Sequence, residues 1–339
     1  MSLPMREPPI HEDLGESVMD RQRPCVTVAI PCRADEPGLG FVVDEVLSSC
    51  RGAAFGEASA VELLVCINGV RPTGECAPLT ALRTRLAAHA IPLSEVSVES
   101  AGWPQPTPVR AGMSARVFLT GVEGKAHAWN VLRGACAGDP VFMCDADVTF
   151  SPDAFARLHA GLCSAPHLAL YSPKTDCRHD ARLLERIISV PYRVDFPNLS
   201  GQLYAMHPEH VPARMPEDLI EPERWLELEV GPERVGRDPE ARVYVRLTAT
   251  LADFFRQRVR IEMGKIQLYR VYPHLVERSA PQPGRSVVWK LTPRERGALV
   301  VYLALRSVAH AWAWWRYRRG DVQGIWRQPV TTKRWATTP

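Results

Sequence analysis

The 339-residue chain contains no Cys-x-x-Cys pair, and its nine cysteines are an odd number at irregular spacings. A disulfide framework and a structural zinc site are therefore not expected, and a reducing compartment is. No Gly-x-Gly-x-x-Gly follows the first strand-like run, which argues against a dinucleotide fold of the usual kind. A Walker-type phosphate loop and internal repeats are also missing. The N-terminus carries Pro, Glu, His and Asp in place of an apolar stretch, so no secretory leader is expected, and residues 1–24 read as a disordered lead-in. An excess of charge is lacking too: 41 basic residues against 38 acidic ones leave a net +3.

That small total hides an uneven distribution. From Arg285 to the end there are eleven basic residues against only Glu295 and Asp321, which puts the tail at +9 and the remainder at −6. Six of the nine tryptophans (Trp289, Trp312, Trp314, Trp315, Trp326, Trp335) fall in the same tail. Positive charge combined with indoles suits an anionic membrane surface. It does not form a nucleic-acid groove signature, so no nucleic acid is expected as a partner.

The length allows one large domain or two small ones, with a sizeable core. Strand-like runs alternate with helical ones. Val26–Ile30 is apolar and β-branched, then Pro31 opens a polar corner; Phe41, Val42, Val46 and Leu47 repeat at helical spacing; Val61–Ile67 is a second strand ending at Asn68-Gly69. Leu79–His89 reads as a helix, Glu95–Ser100 as a weak strand, and the Pro- and Gly-rich stretch from Gly102 to Met113 as a loop. Such alternation implies an α/β fold, a mostly parallel sheet with helices on both faces. Cys32, Cys66 and Cys144 lie in or beside the strands as small core fillers.

The most informative stretch is Val141-Phe-Met-Cys-Asp-Ala-Asp-Val-Thr-Phe150. Four apolar residues mark a strand buried on both faces, and Asp145 and Asp147 stand where it leaves the core. Two carboxylates there suit a divalent cation, although aspartates after a strand also serve as turn formers. Ser151, Pro152 and Asp153 read as the N-cap and first turn of the next helix. Upstream, Gly124-Lys125 opens a helix. A lysine in a first turn opposes the helix dipole by roughly a few tenths of a kcal/mol, unless an anion is bound there.

Taken in order, Val26-Thr-Val-Ala-Ile-Pro31, Asp35, Asn68-Gly69, Gly124-Lys125 with Asn130, and Asp145-Ala-Asp147 resemble the family 2 nucleotide-sugar glycosyltransferases of bacterial, membrane-associated type. The resemblance covers residues 25–275 and implies the GT-A fold. It also implies an inverting, metal-dependent transfer from a nucleotide-sugar donor. By that resemblance Pro31, Arg33, Asp35, Asn68, Lys125 and Asp145 would bind the nucleotide sugar. Asp145 and Asp147 would hold Mg2+ or Mn2+. The catalytic base would be Glu223, or Asp218 of the literal Glu-Asp pair. Gln257, Arg258 and Arg260 resemble a Gln-x-x-Arg-Trp signature and would meet the acceptor or diphosphate, with Ile261 where the signature has Trp. Arg33 and Ala34 stand where an aromatic residue and Asn are common, and Ile67 where many members have Asp beside the base.

The helix from Leu251 carries Leu251, Phe254, Phe255, Val259, Met263 and Ile266 on one stripe, with Gln257, Arg260 and Gly264 on the opposite face. Residues 276–339 form a linker and a basic, Trp-rich helical tail. Within it, 297–315 is long enough to approach a bilayer span, but a central Arg306 costs roughly 2.5–3.5 kcal/mol on insertion scales. A helix lying at the interface fits better, with Tyr302, Arg306 and His310 on one face. The expected protein is cytoplasmic and peripheral at the inner face of the cytoplasmic membrane, acting on a lipid-linked or glycolipid acceptor. The competing expectations are a non-catalytic nucleotide- or lipid-binding protein on a decayed glycosyltransferase frame, or a nucleotidyltransferase on a similar α/β frame.

Overall fold

The computed structural model describes residues 25–51, 60–71, 74–107, 109, 112–178, 182–193, 198–277 and 291–321. The N-terminal lead-in, the linker with Trp289, and Trp326 and Trp335 of the tail lie outside them.

A nine-stranded sheet in the order β3-β4-β2-β1-β5-β8-β7-β9-β6 forms the centre. Its first half is parallel. β1 (Cys25–Arg33) lies between β2 (Ala60–Asn68) and β5 (Val141–Cys144), and β4 (Met113–Thr120) joins β2 to β3 (Leu93–Ser97). Every residue of β2 and β5 is buried, as expected of parallel strands covered on both faces. β8 (Leu203–Met206) runs antiparallel to β5 and to β7 (Leu170–Arg178). β9 (Val235–Arg246) lies parallel to β7 and carries the two-residue β6 (Thr149–Phe150) antiparallel at the edge.

Helices α1 (Leu39–Arg51), α2 (Ala77–Ala88) and α5 (Ala154–Ser164) share one apolar cluster with the sheet. α4 (Lys125–Ala135) and α7 (Pro222–Val230) pack into another. The short helix α3 (Val98–Ala101) follows β3. A buried Glu62 on β2 fixes α4 from below. It accepts from Thr27 at 3.1 Å and from Arg116 Nη2 at 2.6 Å, while the same guanidinium donates to the Ala135 carbonyl at the end of α4.

Several boundaries differ from expectation. β4 follows directly on the Pro- and Gly-rich loop and carries Arg116 and two polar residues, so no apolar run announces it. β9 has a proline and charges inside it, so no apolar run announces it either. β3 ends at Ser97, where the weak strand expected to Ser100 turns into α3. Ser151 does not cap α5, which begins at Ala154. Thr149 and Phe150 stay in the sheet, so Ser151 continues the pairing: its N–H donates to the Arg242 carbonyl and its hydroxyl accepts from the Arg242 N–H.

The C-terminal half is closed by long helices. α6 (Leu183–Arg193), α8 (Leu251–Val271) and the single turn α9 (Pro273–Val276) precede α10 (Pro293–Arg318). On α8 the stripe Phe254, Val259, Met263 and Ile266 is buried, but Leu251 in the first turn is exposed. α10 starts on a capping box of Thr292 and Glu295 and lies on α8 and α6. The face carrying Tyr302 and His310 turns toward α8. Tyr302, Ala309 and Ala313 are buried, the two alanines allowing close approach. Arg306 and His310 reach Glu262 of α8 at 3.0 and 3.1 Å, beside Lys265 at 3.1 Å. The opposite side exposes Val300, Val301, Leu303, Val308, Trp312, Trp314 and Trp315. Among the described residues no helix is long and apolar enough to cross a membrane.

Glu262 is 2 % exposed and serves three side chains, Lys265, Arg306 and His310, that all keep some access to water. Glu262→Ala is therefore expected to cost about 1–3 kcal/mol, lowering Tm and making α10 the first segment cut by limited proteolysis. An unchanged Tm and cleavage pattern would show that apolar packing alone holds α10.

Candidate active site

β1, β2 and β5 point their C-terminal ends the same way, and chain connections diverge to either side of β1. Open α/β sheets bind ligands at such a switch point. Pro31, Arg33 and Asn68 line a cleft here from β1 and β2, Lys125 from α4, and Asp145 and Asp147 from the corner after β5. Gln257 and Arg260 of α8 close the far side, with Gln202 and Arg246 between. The enclosed space is about 170 Å3, below the roughly 300–1,000 Å3 of sites that engulf a small molecule, so a large ligand would keep part of itself in solvent or move the side chains that line the cleft.

Lys125 sits at the bottom. Its ammonium faces anions, as a lysine at a helix start requires, but they are the chain's own. Nζ lies 2.5 Å from Asp145 Oδ1 and 2.5 Å from Glu223 Oε1, and donates to the Gly201 carbonyl at 3.1 Å. Burial pulls the ammonium toward its neutral form, but Asp145 and Glu223 more than offset this and hold its pKa well above the ordinary lysine value. Asp145 is pushed up to about 7 by burial; Lys125 opposes that rise, while Asp147 and Glu223 add to it. Three carboxylates, Asp145, Asp147 and Glu223, thus gather around one ammonium.

Glu223 stands in the first turn of α7, behind Pro222 at the helix start. Two side-chain amides fix the segment leading to it. Asn130 of α4 donates to the Met215 carbonyl at 2.9 Å and accepts from the Met215 N–H at 2.8 Å. Gln267 of α8 donates to the Asp218 carbonyl and accepts from the Ile220 N–H, both at 2.9 Å. Gly201 permits the last approach, since a Cβ there would lie 2.9 Å from Glu223 Cγ. Glu221 packs likewise against Gly264, whose Cβ would fall 2.1 Å from Glu221 Cγ.

The expected site residues divide into two groups. Pro31, Arg33, Asn68, Lys125, Asp145, Asp147, Gln257 and Arg260 line one cleft, and Glu223 joins it through Lys125. Asp35 lies at the rim in a paired contact with Arg33, at 2.8 and 3.0 Å. Asp218 is exposed and does not line the cleft. Arg258 turns away, its guanidinium 5.4 Å from the Tyr302 ring and 5.9 Å from the Phe254 ring. Gln202, Arg246, Glu221 and Gln267 were not among the expected residues. Gln202 follows Gly201 at the start of β8, and Arg246 ends a strand that sequence periodicity does not reveal.

No protein-family model matches the chain, and no curated protein sequence does. Solved structures do. A mannosyltransferase from Pyrobaculum calidifontis, in complex with GDP-Man and Mn2+, superposes with a TM-score of 0.53 at 17 % identity, over 89 % of this chain and 84 % of that one. The chain has a glycosyltransferase-like GT-A fold. Weaker similarity extends to Staphylococcus aureus TarS with UDP-GlcNAc (TM-score 0.45, 10 % identity, 87 % and 92 % covered). Glucosyl-3-phosphoglycerate synthase from Mycobacterium tuberculosis with Mn2+ and UDP is similar at TM-score 0.42 and 15 % identity, with 73 % and 79 % covered.

Within this fold Glu221 provides a titration test. Burial pushes its carboxyl up to about 7, Arg260 opposing and Glu223 adding to the rise. A carboxyl raised in the folded state holds its proton longer than in the unfolded chain, so stability declines as pH rises from the ordinary glutamate range to about 7 and levels off above. Glu221→Gln should flatten that decline, and thermal melts at about pH 5 and about pH 8 measure it. A variant profile parallel to that of the parent would show that Glu221 ionises normally.

Proposed function

We propose that the chain is an inverting, metal-dependent family 2 glycosyltransferase. It would transfer a sugar from a nucleotide-sugar donor to a hydroxyl of a lipid-linked or membrane-associated acceptor, at the inner face of the cytoplasmic membrane. The observation that carries this reading is the convergence of Lys125, Asp145 and Glu223 beneath a cleft at the strand ends.

The nucleotide would lie across Pro31, Arg33 and Asn68, with its diphosphate toward Lys125 and Arg260. Two cationic side chains there stabilise the charge that grows on the diphosphate as the glycosidic bond breaks. Asp145 and Asp147 fit a hard divalent cation: they are oxygen donors two residues apart at the cleft, and their mutual repulsion is one a cation would offset. No cluster of three such ligands occurs among the described residues, so any further ligands would come from phosphate or water. Bound there, Mg2+ or Mn2+ would supply Lewis-acid neutralisation of the diphosphate.

Glu223 is the group suited to take the acceptor proton. Its carboxylate borders the cleft floor and pairs with Lys125. The deprotonating hydroxyl oxygen attacks the anomeric carbon from the face opposite the diphosphate, which leaves with the bonding pair. When a donor phosphate draws Lys125 toward itself, the Glu223 carboxylate is released from that ion pair and can face the acceptor hydroxyl.

Glu223→Gln keeps the size of the side chain and removes the basic oxygen. Transfer is expected to fall by about 10²–10⁴ with donor affinity retained, whereas Asp218→Asn should leave turnover near the parent value. Asp147→Ala should abolish metal-dependent transfer. Donor consumption across a panel of nucleotide sugars with and without Mn2+ reads all three. Donor binding without turnover in the parent protein would instead support a non-catalytic binding protein on this frame.

A further inference from the structure

The cleft runs across the strand ends, and sheet order fixes what stands along it. The corner after β5 carries Asp145 and Asp147, β1 ends at Arg33, β2 ends at Asn68, and the loop after β4 brings Glu123. With the diphosphate of a donor at Lys125 and the aspartates, its base falls at the opposite end, beside Asn68 and Glu123.

Asn68 marks this end as a binding surface. It is 5 % exposed and lines the cleft, yet its side-chain amide makes no hydrogen bond among the described residues. A polar group so enclosed is ordinarily bonded, and the partner left to it is a ligand in the cleft. Glu123 lies flat on the next residue: a Cβ on Gly69 would come 3.1 Å from Glu123 Cγ and 3.6 Å from its Oε1. The Glu123 carboxylate also makes no hydrogen bond among the described residues. Glu36, buried in the same lining, accepts from the Gly38 N–H at 3.0 Å. The cation between them, Arg33, directs Nε and Nη2 to Asp35.

Ionised carboxylates only accept, whereas an amide both donates and accepts. This end of the cleft is therefore rich in acceptors, with Asn68 as the donor that is not already engaged. The pairing edge of guanine has the complementary pattern: two adjacent donors, N1–H and the N2 amino group, followed by the acceptor O6. Uracil has one donor between two carbonyls. Adenine and cytosine set their amino group beside an unprotonated ring nitrogen. Each of these three would turn an acceptor toward a carboxylate. We propose that the donor nucleotide is a guanosine diphosphate, its N1–H and N2 amino group donating to Glu123 and its O6 accepting from Asn68. This rests on the glycosyltransferase reading for the placement of the diphosphate, but binding alone reads the choice of base.

The test titrates the full-length protein, in the presence of Mn2+, with GDP, UDP, CDP, ADP and inosine diphosphate, following heat of binding and Tm. The diphosphate is common to all, so the differences report the base. GDP is expected to bind at least about tenfold tighter than UDP, CDP or ADP, because a carboxylate facing a base acceptor loses its hydration without a hydrogen bond in return. Inosine diphosphate lacks only the N2 amino group and should bind about tenfold more weakly than GDP. Glu123→Gln keeps the length of an exposed side chain and exchanges one acceptor oxygen for an amino donor. It should bring GDP and inosine diphosphate to within about twofold of each other while UDP binding is retained, and circular dichroism checks that it folds. Equal binding of the five diphosphates, tighter binding of another base, or a GDP preference over inosine diphosphate that survives Glu123→Gln overturns the guanine assignment and leaves the transferase reading standing. Binding of none of them overturns both. Selective binding of GDP without transfer from any guanosine diphosphate sugar would count against the transferase reading and leave the base site in place.

Discussion

The site depends on one ammonium group. Lys125 emerges from the N-terminal end of α4, where the helix dipole disfavours a cation, and it is largely removed from water. It is tolerable there only because Asp145 and Glu223 both reach it. Those carboxylates come from opposite sides of the molecule: one from the end of β5 in the parallel half-sheet, the other from α7 beyond the antiparallel strands. The ion pairs therefore do more than neutralise a charge. They require the two halves of the chain to close on one point, and that point is the floor of the cleft.

Much of the remaining architecture serves to hold α4 and α7 in that relation. Glu62 and Arg116 tie the far end of α4 to the sheet from beneath. Asn130, one turn beyond Lys125, grips the loop that leads to α7, and Gln267 grips the same loop from α8. Amides suit the task because each offers a donor and an acceptor to a backbone that has no ladder partner. Gly201 and Gly264 then let Glu223 and Glu221 lie flat against neighbouring backbone. The second carboxyl, raised by burial, marks where the packing has gone further than charge alone would favour.

The centre of the parallel half was legible because its strands are continuous apolar runs. β1, β2 and β5 announce themselves, and the polar residues at their ends are the ones that meet in the cleft. The second half was less legible for a physical reason. β9 is held by register against β7 and not by its own hydrophobicity, so its proline and charges conceal it, and Arg246 at its end goes unnoticed. Between Asp218 and Glu223, spacing alone left the choice open. What distinguishes them in space is the amide clamp, which uses the backbone of Asp218 and leaves its side chain in solvent while delivering Glu223 to Lys125. Long-range hydrogen bonds of that kind leave no periodic trace.

Helix α8 shows how one element can face two chemistries. Its register places Gln257 and Arg260 on the polar cleft, while Val259 and Met263, neighbouring positions in sequence, turn toward α10. A helix rotates by about 100° per residue, so adjacent residues reach different surroundings. Glu262 uses the same seam to hold Arg306 and His310, which pairs a guanidinium of α10 that would be costly in a bilayer core and fastens that helix to the protein. With the charged face so engaged, the tryptophans and valines of α10 are turned outward. The apolar surface of the tail is thus a consequence of how its basic residues are paired. It lies beside the cleft because the helix that pairs them is also a wall of that cleft.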